Sequence, residues 1–263
     1  MPRFAANLTL LWPDLEPLAR FAAAAQAGFS HAEILFVHPL DPAAVETALR
    51  ETGLALVLFD PRPGDWAKGE RGLLCLPGRE AEFLESLHEA LAAAARFKTR
   101  KLNALAGLLP AGVSRDEAFA VAVSNLRAAA PLAQAMGVTL LVENINRVDM
   151  PGYFAGTVAE AVALVEAVGS PAVRLQLDQY HCGMSGEDAR AALARHAHLV
   201  GHVQVADVPG RHQPGTGTQP IGRFLADLDA MSYAGYVGLE YKPLGGMEAA
   251  LAWLPRAARS SRD

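Results

Sequence analysis

The chain is poor in cysteine, in aromatic residues and in concentrated positive charge. Its two cysteines, Cys75 and Cys182, lie far apart and outside any Cys-x-x-Cys spacing. That pattern argues against a disulfide framework or a cysteine-held metal cluster and points to a reduced compartment. No stretch approaches a bilayer-crossing run, and the opening residues lack the apolar core of a secretory leader. A cytoplasmic protein with no membrane partner is expected. Lys and Arg, 23 in all, are outnumbered by 28 Asp and Glu, and they form no stripe, so a nucleic-acid surface is disfavoured. Glycine is also missing from Asn7-Leu8-Thr9-Leu10-Leu11-Trp12. A doubly wound dinucleotide fold places its phosphate-binding glycines after the first strand, so that fold is only the runner-up.

What the 263 residues do contain is an alternation. Short apolar runs suited to buried strands occur at residues 4–8, 31–36, 54–59, 101–106, 138–143, 173–178, 199–205 and 236–240. Between them lie Ala/Leu-rich amphipathic runs at 15–27, 42–52, 80–97, 115–136, 158–168, 185–197, 221–231 and 247–259. Gly28, Gly53 and Gly137 stand where helices should close. Ser114 with Glu117, and Thr157 with Glu160, read as capping boxes. Strict βα alternation implies parallel strands, and eight units in this length imply an α/β fold, a single (β/α)8 TIM barrel over residues 1–263. Two connections are long, at about 60–79 and 206–220. Both follow strands and so lie on the carboxyl face, where barrel enzymes keep their chemistry.

The last four strands end alike, at Glu143, Asp178, Gln204 and Glu240. If these faces point inward, four oxygen-bearing groups converge from adjacent strands. Three carboxylates cannot all stay ionised in one small space without a cation. Four oxygen ligands suit Mg²⁺ or Mn²⁺ better than Zn²⁺. Read singly, each residue has a plainer role: a salt-bridged glutamate, or, for Asp178, a helix cap. His181 is a candidate substrate group, and His202, one layer deeper, reads as a core histidine bonded to a neighbour such as Gln176. Arg211 and Lys242 are the preferred loop cations for an anionic substrate, Lys242 because it lies two residues beyond Glu240. Gly215-Thr216-Gly217-Thr218 reads as a flexible segment able to close over a ligand, and Trp66, Glu70 and Arg71 as part of a lid. Two glutamates across a metal suit proton shuttling between carbons, giving either aldose–ketose isomerisation or epimerisation.

Leu141-Val142-Glu143-Asn144-Ile145-Asn146, followed by Asp149-Met150-Pro151-Gly152-Tyr153-Phe154, resembles the matching segment of the hydroxypyruvate isomerase family, within the xylose-isomerase-like barrels. So do residues 201–212 and 235–243, and the early segments 4–8, 63–67 and 69–72. The resemblance implies a metal held by Glu143, Asp178, Gln204 and Glu240, with Glu143 and Glu240 exchanging the proton. It implies a small 2-oxo acid substrate, hydroxypyruvate, converted to 2-hydroxy-3-oxopropanoate. Asn7, Glu70 and Arg71 join His181, Arg211 and Lys242 as substrate-binding candidates. Gln204 fits the isomerase pattern, since related ketose epimerases usually carry His there. One departure is Asn103, where family members often have His, and it bears on substrate preference. The alternatives are a 2-oxo-tetronate isomerase or ketose 3-epimerase on the same site, and a non-catalytic sugar-acid binding protein. A DNA-repair endonuclease on this barrel needs more His ligands and a basic groove, which the chain lacks. Exposed helices and the third loop are offered as contact surfaces for a homo-oligomer.

Overall fold

The computed structural model describes residues 2–260 and shows a closed barrel of eight parallel strands in sequence order. The strands are β1 Arg3–Asn7, β2 His31–Phe36, β3 Ala55–Asp60, β4 Lys101–Asn103, β5 Thr139–Glu143, β6 Val173–Asp178, β7 Val200–Val205 and β8 Tyr236–Leu239. Closure comes from β8 pairing with β1, with Arg3 opposite Tyr236 and Ala6 opposite Leu239. The helices are α1 Ala19–Gln26, α2 Pro42–Thr52, α3 Glu80–Phe97, α4 Arg115–Ala135, α5 Val158–Val168, α6 Gln179–Met184, α7 Ala189–His196, α8 Ile221–Ala230 and α9 Gly246–Leu251. No helix among the described residues is long and apolar enough to cross a membrane.

Helix α3 shows how the outer layer is specified. Its buried residues include Phe83, Leu87, Ala90, Leu91, Ala94 and Phe97, a single stripe at helical spacing. Each large apolar side chain so buried contributes about 1.5–3 kcal/mol, and Leu87→Ala is expected to cost about 2–5 kcal/mol. Helix α5 starts with a complete capping box: Glu160 N donates to Thr157 Oγ1 at 3.3 Å, and Thr157 N donates to Glu160 Oε2 at 3.1 Å. Inside the barrel a small apolar group, Ala5, Val57, Leu58 and Leu141, forms a core separate from the one under the helices. Ala5 and Leu141 share their strand faces with Asn7 and Glu143, two residues on, so this plug supports the polar layer above it.

Four elements differ from the sequence pattern by more than one residue. The first helix begins at Ala19 rather than 15, because Pro17 disfavours helical backbone at Glu16 and the chain turns until Leu18. The fourth strand stops at Asn103, and residues beyond it bend to meet the third loop, Ala106 bridging to Gly72. The helix expected after the sixth strand is two helices, the first starting at Gln179 directly behind Asp178. The closing helix ends at Leu251, four residues before Pro255, and a short 3-10 turn Arg256–Ala258 follows.

Candidate active site

Every strand delivers one polar residue to the carboxyl end of the barrel. They are Asn7, Glu33, Asp60, Asn103, Glu143, Asp178 and Gln204 on β1 to β7, and Glu240 just past β8. All eight are buried. Seven of them, all but Asp178, line one cavity together with Trp66, Gln176, His181 and Arg211. Five of the eight are carboxylic acids, and Arg211 is the one Lys or Arg among the lining residues. Strands β1, β3 and β4 end in such residues as β5 to β8 do, while β2 contributes Glu33 from its middle. The sequence reading missed Glu33 and Asp60, although Glu33 is a lone acid inside an apolar strand and Asp60 ends β3 as Asp178 ends β6.

Glu33 is the hub of the floor. Its Oε1 accepts from Asn7 Nδ2 and from Gln204 Nε2, each at 2.9 Å, and its Oε2 lies 2.7 Å from His202 Nε2. His202 is thus a core histidine as expected, but it is bonded to Glu33, not to Gln176. Gln176 Nε2 instead donates to Gln204 Oε1 at 2.6 Å. The Glu33 carboxylate reaches across the barrel because β8 carries a glycine opposite Gln204. A Cβ at Gly238 would lie 2.3 Å from both Glu33 oxygens.

Asp178 takes the plainer role weighed for it, a helix cap, with one of its two oxygens. Its Oδ1 caps α6, accepting from Tyr180 N at 2.7 Å and His181 N at 3.2 Å. Its Oδ2 is buried with no hydrogen-bond partner. Glu143, Asp178 and His181 form a buried group whose potential ligand atoms lie within 4.8 Å of one another. His181 Nε2 stands 3.8 Å from Glu143 Oε1 and 3.7 Å from Asp178 Oδ2. The tautomer follows from Asn146. Its Oδ1 accepts from Val148 N and Asp149 N, so its Nδ2 must face His181 Nδ1, at 2.6 Å. Nδ1 then accepts, and Nε2 carries the hydrogen toward the carboxylates. Burial lowers the imidazole to about 4, so it is neutral. His181 is therefore arranged as a hydrogen-bond donor to a bound oxygen rather than as a metal ligand.

Arg211 holds the centre of charge. Its Nη2 is 2.8 Å from Glu240 Oε1 and 4.0 Å from Asp178 Oδ2. Burial acts to deprotonate the guanidinium, but Glu240, Asp178 and Glu143 outweigh it and hold the charge. Arg211 has φ +55, an uncommon backbone for a non-glycine residue, and its carbonyl accepts from Lys242 N at 2.7 Å. Burial, then Glu240, Asp178 and Asp60, push Glu143 well above the usual carboxylate range. Burial also raises Glu240, against the opposing pull of Arg211. The orphan Asp178 oxygen, flanked by acids that share one guanidinium, fits a hard divalent cation. Glu143 and Asp178, both members of that buried group, are residues able to hold one.

Three predicted substrate groups are not brought to the cavity. Lys242 is exposed, because β8 ends at Leu239 and the alternation of faces no longer applies beyond it. Glu70 is tied down by Arg79 and accepts from Asp65 N at 2.5 Å. Arg71 stacks 4.0 Å from the Trp66 ring centroid and donates to the Trp66 and Glu70 carbonyls. Both stiffen the loop that presents Trp66 to the cavity. Nor is the glycine-rich segment free to clasp a ligand. The amides of Gly215 and Gly217 donate to Asp207 Oδ2, each at 2.9 Å.

Residues 21–257 match the family described as xylose isomerase-like TIM barrel. The chain belongs to that family. It is 41% identical to a 2-oxo-tetronate isomerase of Cupriavidus necator, over 97% of this chain and 98% of that one. It is 37% identical to the hydroxypyruvate isomerase of Escherichia coli K12, with the same two coverages. A solved structure from Brucella melitensis, described as an AP endonuclease of family 2, superposes with a TM-score of 0.93 at 40% identity, over 96% of this chain and 98% of that one. Within the xylose isomerase-like family, the chain stands with the isomerases and is itself an enzyme of that kind.

Proposed function

We propose that the protein moves a carbonyl between adjacent carbons of a short 2-oxo sugar acid, with hydroxypyruvate and 2-hydroxy-3-oxopropanoate as the smallest such pair. Two buried glutamates, Glu143 and Glu240, lining one cavity with Arg211 paired to Glu240, carry this reading.

In this reading Arg211 holds the substrate carboxylate by charge-assisted hydrogen bonds, and His181 Nε2–H donates to the carbonyl oxygen. Glu143 and Glu240 exchange the carbon-bound proton: one carboxylate takes it from the hydroxyl-bearing carbon, and it is returned to the former carbonyl carbon through an enediolate. A carboxyl raised toward neutrality is a better base for this task than an ordinary one. A divalent cation, Mg²⁺ or Mn²⁺, would be held by Glu143, Asp178, Gln204 and Glu240, and its chemistry is to polarise the two substrate oxygens. An endonuclease reading meets a cavity with five acids around it and a chain of net charge −5, both of which repel a phosphate backbone.

The test is product formation from hydroxypyruvate and from 2-oxo-tetronate, by wild type and by Glu143→Gln and Glu240→Gln. Wild type is expected to turn over at least one of them, and each variant to lose roughly a thousandfold or more in kcat while keeping its fold. Full turnover by Glu240→Gln would contradict the assignment. Binding without conversion by wild type would favour the sugar-acid binding protein.

A further inference from the structure

One residue ties together both ends of the long loop after β7. Asp207 is buried, just past Val205, the last residue of that strand. Its backbone closes the turn that carries Arg211. Asp207 N donates to His212 O at 2.8 Å, and Arg211 N donates to Asp207 O at 2.9 Å. Its side chain closes the rest. Oδ1 accepts from Val208 N at 2.9 Å and from Gln219 N at 3.0 Å. Oδ2 accepts from Gly215 N and Gly217 N, each at 2.9 Å. Backbone amides converge in this way on bound anions. The glycine-rich segment is therefore an anion nest whose occupant is the chain's own carboxylate. Gly217 is required in it, since a Cβ there would press on the Val208 carbonyl and lie 2.7 Å from Asp207 Oδ1.

What this frame holds out is Arg211. A non-glycine residue at φ +55 stays there only where its surroundings hold it. Two backbone hydrogen bonds do so, Arg211 N to Asp207 O on one side and Lys242 N to Arg211 O, at 2.7 Å, on the other. So held, the guanidinium lines the cavity and stands 2.8 Å from Glu240 Oε1. Asp207 is not among the residues lining that cavity, so its effect on a ligand passes through Arg211.

We propose that Asp207 is a positioning residue: by filling the nest it sets the backbone of Arg211, and with it the grip on the substrate carboxylate. The proposal rests on the isomerase reading above for the role of Arg211. A carboxylate is needed because it alone offers acceptors to all four amides. An asparagine in its place turns an NH2 group toward two N–H donors and frees one arm of the loop.

The experiment compares wild type, Asp207→Asn, Arg211→Gln and the double variant, all with Mn²⁺ present. Steady-state kinetics uses the better of hydroxypyruvate and 2-oxo-tetronate. Calorimetry measures binding of pyruvate, which has the 2-oxo carboxylate but no hydroxyl to isomerise. Asp207→Asn is expected to raise KM and the pyruvate Kd roughly tenfold, while kcat changes by less than about threefold. Added to Arg211→Gln, it is expected to change either constant by less than about twofold, because the side chain it positions is already gone. A merely structural role would instead add its full effect in both backgrounds. Gly217→Ala opens the same nest from the other side, is expected to show the same pattern, and serves where Asp207→Asn does not fold. Unchanged KM and Kd, or effects that add in full to Arg211→Gln, overturn the positioning role and leave the isomerase standing. The expected pattern in pyruvate binding without turnover of either acid sustains the positioning role and overturns the isomerase reading. Neither turnover nor pyruvate binding by wild type overturns both.

Discussion

The carboxylate of Glu33 fills the space that a side chain on Gly238 would occupy, with both oxygens 2.3 Å from the Cβ position. The two residues lie on β2 and β8, so the glycine is what lets an acid from one wall reach Gln204 and His202 on β7. Gly238→Ala is expected to cost about 1–3 kcal/mol of stability through overpacking and to lower metal affinity by releasing Gln204 from its set orientation. Denaturant melts and Mn²⁺ titration by calorimetry check both. Glu33→Ala combined with Gly238→Ala should be less destabilising than the sum of the two single changes, since the clash partner is gone.

Arg211 is the cation that the buried acids share. Arg211→Gln is expected to raise KM roughly tenfold to a hundredfold, the loss of a charge-assisted contact, with a smaller effect on kcat. Steady-state kinetics checks the split. A drop confined to kcat would place Arg211 with the proton transfer rather than with the substrate carboxylate.

The acids set a pH dependence with a definite sign. Glu143, Glu240 and Asp60 are all raised, chiefly by burial. A folded carboxyl that keeps a proton the unfolded chain has lost makes stability fall as pH rises between the two values. His181, lowered to about 4 from 6.5, works the other way, but only below 6.5. Lys101, lowered to about 8 from 10.5, adds stability with rising pH only above about 8. Between pH 6.5 and 8 the metal-free protein should therefore lose Tm as pH rises. Mn²⁺ competes with those protons, so its stabilising shift should grow across the same range. Differential scanning fluorimetry with and without chelator checks it, and a shift independent of pH would contradict it.

Lys242 and Glu70 separate what the structure places in the site from what the chain order suggested. Lys242→Ala should leave kcat/KM within about twofold, because an exposed side chain outside the cavity contributes little. Glu70→Ala removes the Arg79 and Asp65 contacts that hold the third loop, so KM is expected to rise several-fold with kcat nearly unchanged. Kinetics of the two variants side by side checks the contrast.

The barrel was legible because apolar runs bounded by capping residues mark strands and helices locally. Glu143, Asp178, Gln204 and Glu240 were legible because each ends such a run. Glu33 escaped because it sits inside its strand, and its partners are far away in sequence, His202 being 169 positions on. The role of Asn146 escaped because a histidine tautomer depends on which amide faces which ring nitrogen, and that is set by the loop turn it closes. Lys242 was misplaced because alternation was carried beyond the end of β8. The break at Pro255 was readable from the proline itself.

The most direct test of the account is solvent deuterium entry into hydroxypyruvate or its four-carbon homologue, by wild type and Glu240→Gln, with and without Mg²⁺ or Mn²⁺. The account predicts entry at the hydroxyl-bearing carbon with wild type, stimulated by the metal, accompanied by the isomeric product and abolished in Glu240→Gln. Entry that is undiminished in Glu240→Gln, or no entry with either acid, would contradict it.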